Sequence, residues 1–407
     1  MRPRLSVVVP VRDAAESLCA CLASLAASLQ RDHEVVVVDD ASQDASAERA
    51  AEQGARVLRL AEPAGPAAAR NRGAEAAQGE HLLFVDADVC VHPDTLSRVE
   101  AVFAGDPSID ALFGSYDATP AAPNLLSQYK NLFHHFVHQS AAREAETFWS
   151  GCGAIKRAVF LELGGFDPSY TRPCIEDIEL GARLRRAGRR IVVCPEIQAT
   201  HLKRWTLGGM VRSDVWDRGV PWTELALREG RLPNALNLER GQRVAALCAY
   251  AFALLWAVAA WRRPALLAVP VALLLGLLAL DVLSEKSRRL PLLAMAVFAT
   301  GCAGAVVATM VPLGRWAFVA SALLIAVLWI NRRFSTFLSR ARGPLFAAAV
   351  LPLHLFYYCY SGAALLIGLL RHLISPGRAR ACRPPWPEGA GSEPSPSPPR
   401  DASGPLP

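Results

Sequence analysis

The chain has 407 residues, 52% of them hydrophobic, and a formal net charge of +6 at pH 7. That length exceeds one typical domain, and that charge is too modest to imply a nucleic-acid partner. Its 10 cysteines are scattered, with Cys19 and Cys21 the only close pair and no Cys-x-x-Cys, so ordinary reduced thiols suffice.

Buried-type strands alternate with helical stretches through the first half. Residues 5–10 are a β-branched run, followed by Val11, Arg12, Asp13 and an alanine-rich helical stretch over 14–29. Residues 34–38 form a second apolar run ending in Asp39, Asp40, Ala41 and Ser42. A third strand at 55–60 leads through Pro63, Gly65 and Pro66 into a helix over 67–77. This alternation predicts an α/β fold with a parallel, doubly wound, Rossmann-like sheet.

The next strand, from His81, ends in Val85-Asp86-Ala87-Asp88. Two carboxylates one residue apart at a strand's C-terminal end lie where open α/β sheets hold ligands. Such like charges are costly together unless a cation neutralises them, and a hard divalent ion bridging substrate phosphates fits. A surface Asp-x-Asp turn is the alternative for an isolated triplet.

Several runs resemble the inverting family 2 glycosyltransferases with the GT-A fold. They are Ser6 to Pro10, Val38 to Ser42, Ala69-Arg70-Asn71-Arg72-Gly73, and Phe84 to Asp88. Further on come Trp149-Ser150-Gly151-Cys152-Gly153-Ala154, Gly164-Gly165-Phe166-Asp167 and Ile175-Glu176-Asp177-Ile178. The resemblance runs in order over residues 4–206, about half the chain. It implies a nucleotide-diphospho-sugar donor attacked at its anomeric carbon by an acceptor hydroxyl or phosphate.

Site roles follow from that resemblance. Pro10, Arg12, Asp13, Asp39, Asp40, Arg70 and Asp86 are the expected nucleotide and donor residues. Asp39 and Asp40 can accept from base and ribose donors, although either can instead close the turn with Ser42. Arg70 can meet a phosphate with a bidentate fork. Asp88, Asp86 and His201 are the expected ligands of Mg²⁺ or Mn²⁺, which would neutralise the departing diphosphate. Asp177 is the expected general base, with Glu176 beside it able to raise its pKa. Acidic residues at a helix start are also favoured by the helix dipole alone.

Gly151, Arg204 and Trp205 are assigned by the resemblance to the acceptor and diphosphate. Processive relatives carry Gln-x-x-Arg-Trp at this point, whereas this chain reads His201-Leu202-Lys203-Arg204-Trp205. An imidazole can complete a metal shell, so the change favours one sugar per turnover. His134, His135 and His138, with Tyr129, Phe133 and Phe136, read as a helix facing acceptor or membrane rather than a zinc site.

Past about residue 240 the composition turns to Ala, Leu and Val. Residues 244–261, 264–280, 290–312 and 316–330 are nearly free of charge, each about 17–25 residues as a bilayer requires. Residues 345–370 are a fifth candidate whose Pro352, His354 and Tyr357 to Tyr360 suggest a half-inserted or hairpin-like segment. Basic loops at Arg288-Arg289 and from Arg332 to Arg342 place them, and the catalytic domain, on the cytoplasmic side. The first strand starts almost at Met1, so no signal peptide is expected ahead of it and the first membrane helix is expected to direct insertion.

The expected domains are 1–206 catalytic, 207–242 amphipathic interfacial linker, 243–374 transmembrane with four to five helices, and 375–407 a disordered Pro/Ser-rich tail. The expected protein is a multi-pass enzyme of an inner or plasma membrane, moving a sugar to a lipid or lipid-linked acceptor. A processive polysaccharide synthase, a nucleotidyltransferase and a non-catalytic nucleotide-binding scaffold are the alternatives. A nucleotidyltransferase would carry a Gly-rich basic loop after the first strand, and Val9 to Asp13 is not one.

Overall fold

The computed structural model describes residues 3–28, 33–230, 239–286 and 290–374. The expected tail, the Arg288-Arg289 loop and residues 231–238 of the linker lie outside the described residues.

The strands are β1 (Leu5–Val11), β2 (His33–Asp39), β3 (Arg56–Arg59), β4 (His81–Val85), β5 (Val89–Val91), β6 (Ala111–Tyr116), β7 (Cys152–Lys156) and β8 (Ile191–His201). They form one sheet in the order β3-β2-β1-β4-β7-β6-β8-β5. The β3-β2-β1-β4 half is parallel, matching the alternation in the sequence. The other half is mixed, because β7 runs antiparallel to both β4 and β6. That reversal lies beyond the region where strands and helices alternate simply.

The helices of this half are α1 (Ala15–Ser28), α2 (Ser46–Glu52), α3 (Pro66–Ala76), α4 (Thr95–Gly105), α5 (Leu125–Gln139), α6 (Arg157–Glu162) and α7 (Glu176–Arg186). Alternate residues of each strand point to opposite faces, and both faces are covered. Val7, Val9, Leu83 and Val85 pack with Leu18, Leu25, Leu96 and Val99 of α1 and α4. Val8, Val36, Leu82 and Phe84 pack on the other side with Ala67, Phe160, Leu180 and Leu184 of α3, α6 and α7. Continuous apolar strands are what a sheet buried on both faces requires.

The second half is helical: α8 (Leu207–Arg212), a π-helix (Ser213–Gly219), α9 (Val220–Glu229), α10 (Arg240–Arg262), α11 (Ala268–Lys286), α12 (Leu290–Leu313), α13 (Ala317–Ile330), α14 (Arg332–Arg342) and α15 (Pro344–Ile374). Among the described residues, three helices are long and apolar enough to cross a membrane: Arg240–Arg262, Pro264–Ser284 and Pro344–Ile374. A fourth candidate is the pair α13 and α14, bent by 62° where they meet. Leu247, Leu254, Trp261, Ile325, Trp329 and Leu366 of these helices are exposed, an apolar surface that water would not favour.

Two expectations about this half need correction. The segment expected to be half-inserted or hairpin-like is one continuous 31-residue helix, which removes the hairpin form. At 1.5 Å per residue it is about 46 Å long, more than a bilayer core of ~30 Å. Pro352 sits inside it. The basic stretch from Arg332, expected as a loop, is an amphipathic helix that buries Phe334 and Leu338 and exposes Arg332, Arg333 and Arg340. Apolar residues spaced four apart bury one stripe, and the arginines take the other.

A third core joins the halves. Tyr129, Leu132 and Phe133 of α5 pack with Trp205, with Leu277 and Leu280 of α11, with Phe334 and Leu338 of α14 and with Leu353 of α15. The sheet domain therefore rests on the long helices through α5.

Candidate active site

The site forms along the ends of β1, β2, β4 and β8. After β4, the amide of Asp86 donates to the Gly151 carbonyl at 3.4 Å, and Val89 N–H returns to Asp86 O at 3.0 Å. This turn leaves the Asp86 and Asp88 side chains one-third exposed. Leu202 N–H donates to Asp88 O at 2.9 Å, which ties the turn to the end of β8.

Arg70, on α3, is 4% exposed and holds two motifs together. Its Nη2 donates to Asp86 Oδ1 at 2.6 Å and its Nη1 to Glu176 Oε1 at 2.8 Å. Those two carboxylates favour its charged form, outweighing the burial that opposes it. Arg70 was expected on the nucleotide. The structure instead spends both prongs of its fork on the protein's own carboxylates, because two acids converge on one buried guanidinium.

Asp177 follows Glu176 in the first turn of α7. Its Oδ2 accepts from Ser150 N–H at 3.1 Å, so the 149–154 segment orients it. Burial first, and the neighbouring Glu176 second, push its carboxyl up to about 6, while the Ser150 amide, Arg70 and Arg218 act the other way. A half-buried carboxylate in that range is set up to take a proton near neutral pH.

His201 closes the other side. Its ring stacks on Tyr116 with centroids 4.4 Å apart and planes within 7°. Nδ1 lies 2.8 Å from Asn131 Oδ1, and an amide oxygen there requires Nδ1 to carry the proton. Nε2 then presents its lone pair to Asp88 Oδ2, 3.4 Å away. Two acceptors facing each other, one of them oriented by a second-layer amide, form a donor set that suits a divalent cation. Burial opposes the charged form of Asp88, and when the imidazole carries a second proton His201 and Lys203 bring that carboxyl below the ordinary carboxylate value. Among the described residues no group of three or more acidic, His or Cys side chains converges as a complete metal cage. Any cation here would take its remaining ligands from substrate or water.

Asp39 and Asp40, expected on base and ribose, are 0% and 4% exposed. Asp40 accepts from the N–H groups of Ala64 and Gly65 at 2.6 and 2.9 Å. Asp39 accepts from Ser42 N–H at 3.1 Å and faces Arg59 Nε at 3.1 Å. Both shape the loop at the start of α3. Gly65 is required there: its φ is +89°, and a Cβ would collide with the Thr171 carbonyl.

Asp13 and Ala41 are the non-glycine residues with positive φ among the described residues, at 50° and 54°. Asp13 Oδ1 accepts from Gln43 N–H at 2.7 Å, and Asp13 N–H donates to Ser42 Oγ at 3.0 Å. Pro10 is buried in β1, while Arg12 and Asp13 are exposed beside this paired loop. Strain of this kind collects where ligands are held.

Trp205 departs from expectation. It is 5% exposed and sits in the core between the halves, so it presents no face for an acceptor. Lys203 Nζ lies 4.5 Å from its ring centroid, and Arg204 is exposed. Gly151 lies against Trp149, where a Cβ would come within 2.6 Å of the indole. Asn131, Tyr116 and Arg218 line the site without having been singled out in the sequence. A lone polar residue on an apolar helix carries no local signal of this.

A twisted α/β sheet with an Asp-x-Asp turn, an opposing histidine and an acidic helix start is the GT-A nucleotide-diphospho-sugar transferase fold. Residues 6–164 match the family model described as glycosyl transferase family 2. Among curated relatives, a validoxylamine A glucosyltransferase of Streptomyces hygroscopicus subsp. jinggangensis is 31% identical over 240 residues, covering 49% of this chain and 56% of the relative. A poly(ribitol-phosphate) beta-glucosyltransferase of Bacillus spizizenii is 32% identical over 103 residues, covering 23% and 16%. This chain spans about half the length of the curated relatives it matches first. Among solved structures, a mannosyltransferase from Pyrobaculum calidifontis, in complex with GDP-Man and Mn²⁺, aligns with TM-score 0.48 and 19% identity over 92% of this chain and 88% of that one.

Proposed function

We propose that this protein is a membrane-anchored, metal-dependent inverting glycosyltransferase that moves one sugar per turnover from a nucleotide-sugar to a lipid or lipid-linked acceptor. The observation that carries the reading is Arg70, which links the Asp86–Asp88 turn to the Glu176–Asp177 helix start. One guanidinium so sets the donor end and the base end in one cleft.

Asp177 takes the acceptor proton as the acceptor oxygen forms its bond to the anomeric carbon and the bond to the diphosphate breaks. Ser150 N–H keeps that carboxylate aimed. Asp88 and His201 would hold Mg²⁺ or Mn²⁺, which when bound supplies positive charge to the leaving diphosphate. The burial of Trp205 supports a non-processive enzyme, since no indole platform is left to hold a growing glycan. The exposed apolar helices support anchoring, as single-chain packing leaves them unpaired.

The test is nucleotide release by full-length detergent-purified protein from a panel of nucleotide-sugars, with Mn²⁺, Mg²⁺ or EDTA and with membrane lipid extract. Metal-dependent release from one donor, lost in Asp88→Ala, is expected. Donor binding without release under every condition would replace this reading with a nucleotide-binding scaffold.

A further inference from the structure

The π-helix Ser213–Gly219 is clamped on three sides. Lys130 Nζ of α5 donates to Asp214 at 2.6 and 2.8 Å, and Tyr360 of α15 donates to the same carboxylate at 2.8 Å. Asp217 faces Arg172 at 3.7 Å, on the loop that leads to Asp177. Gly219 lies so close to α15 that a Cβ would come within 2.6 Å of Ala364 Cβ. Val215 and Val220 pack with Tyr360 and Ala364. π-Helical turns are rare and recur at functional sites.

This clamp presents one half-buried cation, Arg218. The carboxylates on its own element, Asp214 and Asp217, are drawn to Lys130 and Arg172 instead. The contact of Arg218 among the described residues is His134 Nε2, at 3.5 Å. That imidazole is held neutral, by burial first and then by the charges of Lys130 and Arg218. The contrast with the other cations of the region is plain, since Arg70 meets Asp86 and Glu176 and Lys130 meets Asp214. His134 stacks toward Tyr116, with centroids 6.1 Å apart, and Tyr116 stacks on His201, so Arg218 belongs to the wall of the candidate site. Its field reaches Asp177, the proton acceptor, on which burial and Glu176 act more strongly.

A half-buried guanidinium with no acidic hydrogen-bond partner among the described residues keeps its fork available to an arriving anion. Its π-helix packs directly on α15, a helix long and apolar enough to cross a membrane, which favours an anion carried by a lipid. We propose that Arg218 binds the phosphate of a lipid-borne acceptor, a reading that rests on the transferase assignment above and narrows its acceptor class.

The test uses full-length protein in phosphatidylcholine nanodiscs, titrated with farnesyl phosphate and with farnesol, with UDP and GDP titrated in parallel. Tighter binding of farnesyl phosphate than of farnesol by at least tenfold is expected, with a loss of at least tenfold in Arg218→Ala and an unchanged affinity for the nucleotide. Arg218→Lys, which keeps the charge but not the fork, is expected to fall between the two and serves if the alanine variant does not assemble. Equal binding of phosphate and alcohol, or unchanged binding in both variants, overturns the proposal. A loss confined to UDP or GDP overturns it in favour of a donor-diphosphate contact. Inorganic phosphate binding as tightly as farnesyl phosphate overturns the lipid source. Farnesyl phosphate binding without nucleotide release from any donor keeps the site and removes the transferase reading. Nucleotide release without phosphate preference does the reverse.

Discussion

Arg70 Nη1 stands 2.8 Å from Glu176 Oε1, across 106 residues of sequence. The guanidinium and the Glu176 side chain are each 5% exposed, so Glu176 depends on Arg70 for charge compensation, while Arg70 divides its charge between Glu176 and Asp86. Replacing Arg70 by alanine leaves Glu176 buried and uncompensated and frees Asp86 to move. Breaking a buried pair of this kind costs roughly 3–5 kcal/mol. Arg70→Ala should therefore lower the thermal midpoint of the full-length protein and abolish nucleotide release together. A variant that melts like the wild type would show that the two motifs do not depend on this bridge.

The raised pKa of Asp177 sets the acid limb of the pH profile. A base must be deprotonated, so activity should be present above about pH 6 and fall as pH drops through that value. Glu176→Gln removes a like charge and should shift the inflection to lower pH, although the broken pair with Arg70 should also reduce the rate. Asp177→Asn should lower kcat by about 10²–10⁴-fold while donor affinity stays, the usual scale of general-base loss. An inflection that ignores Glu176 would mean another group titrates.

Asn131 orients His201 from behind. Asn131→Leu keeps the volume but removes the oxygen that holds the Nδ1 proton, so the ring loses its fixed tautomer. Second-layer substitutions of this type cost about 10–100-fold in metal affinity. The prediction is a rise of that size in the Mn²⁺ concentration for half-maximal nucleotide release, with a larger rise for His201→Ala. Unchanged Mn²⁺ dependence in both would take His201 out of the metal shell.

Much of this site is legible in the sequence because its chemistry lies on strand ends. The Asp86–Asp88 turn stands where the apolar run of β4 stops, at the ligand edge of the sheet, and Asp177 belongs to the acidic start of α7. The parallel half of the sheet follows from the same alternation. Arg70, Asp40 and Trp205 were harder to read. Their residue types fit substrate contact and internal pairing equally, and only three-dimensional convergence with Glu176, the Gly65 amide and the α11 core separates the two. Arg218 was invisible for the opposite reason. Its significance is the lack of an acid partner among the described residues, and a sequence does not show which acids are engaged elsewhere.

The junction between the halves is capped from outside the sheet domain. Asn124 begins α5 without a side-chain cap on its own first turn, and its Nδ2 donates instead to Asp281 Oδ1 at 2.9 Å. Leu126 N–H donates to that same oxygen at 2.9 Å, and Leu125 N–H donates to Ser284 Oγ at 2.9 Å. Asp281 is thus an N-cap supplied by α11 to α5, carrying negative charge to the positive end of the helix dipole. Losing such a cap costs about 0.5–2 kcal/mol, and here the loss falls on the contact between the domains. Asp281→Ala should loosen α5 first, seen as faster amide exchange at Leu125 and Leu126 while β1 and β4 exchange as before. Asp281→Asn keeps an acceptor oxygen and should recover most of the protection. Uniform loss across β1 and β4 in Asp281→Ala would mean that the two halves unfold as one unit and that the cap is not a separable joint.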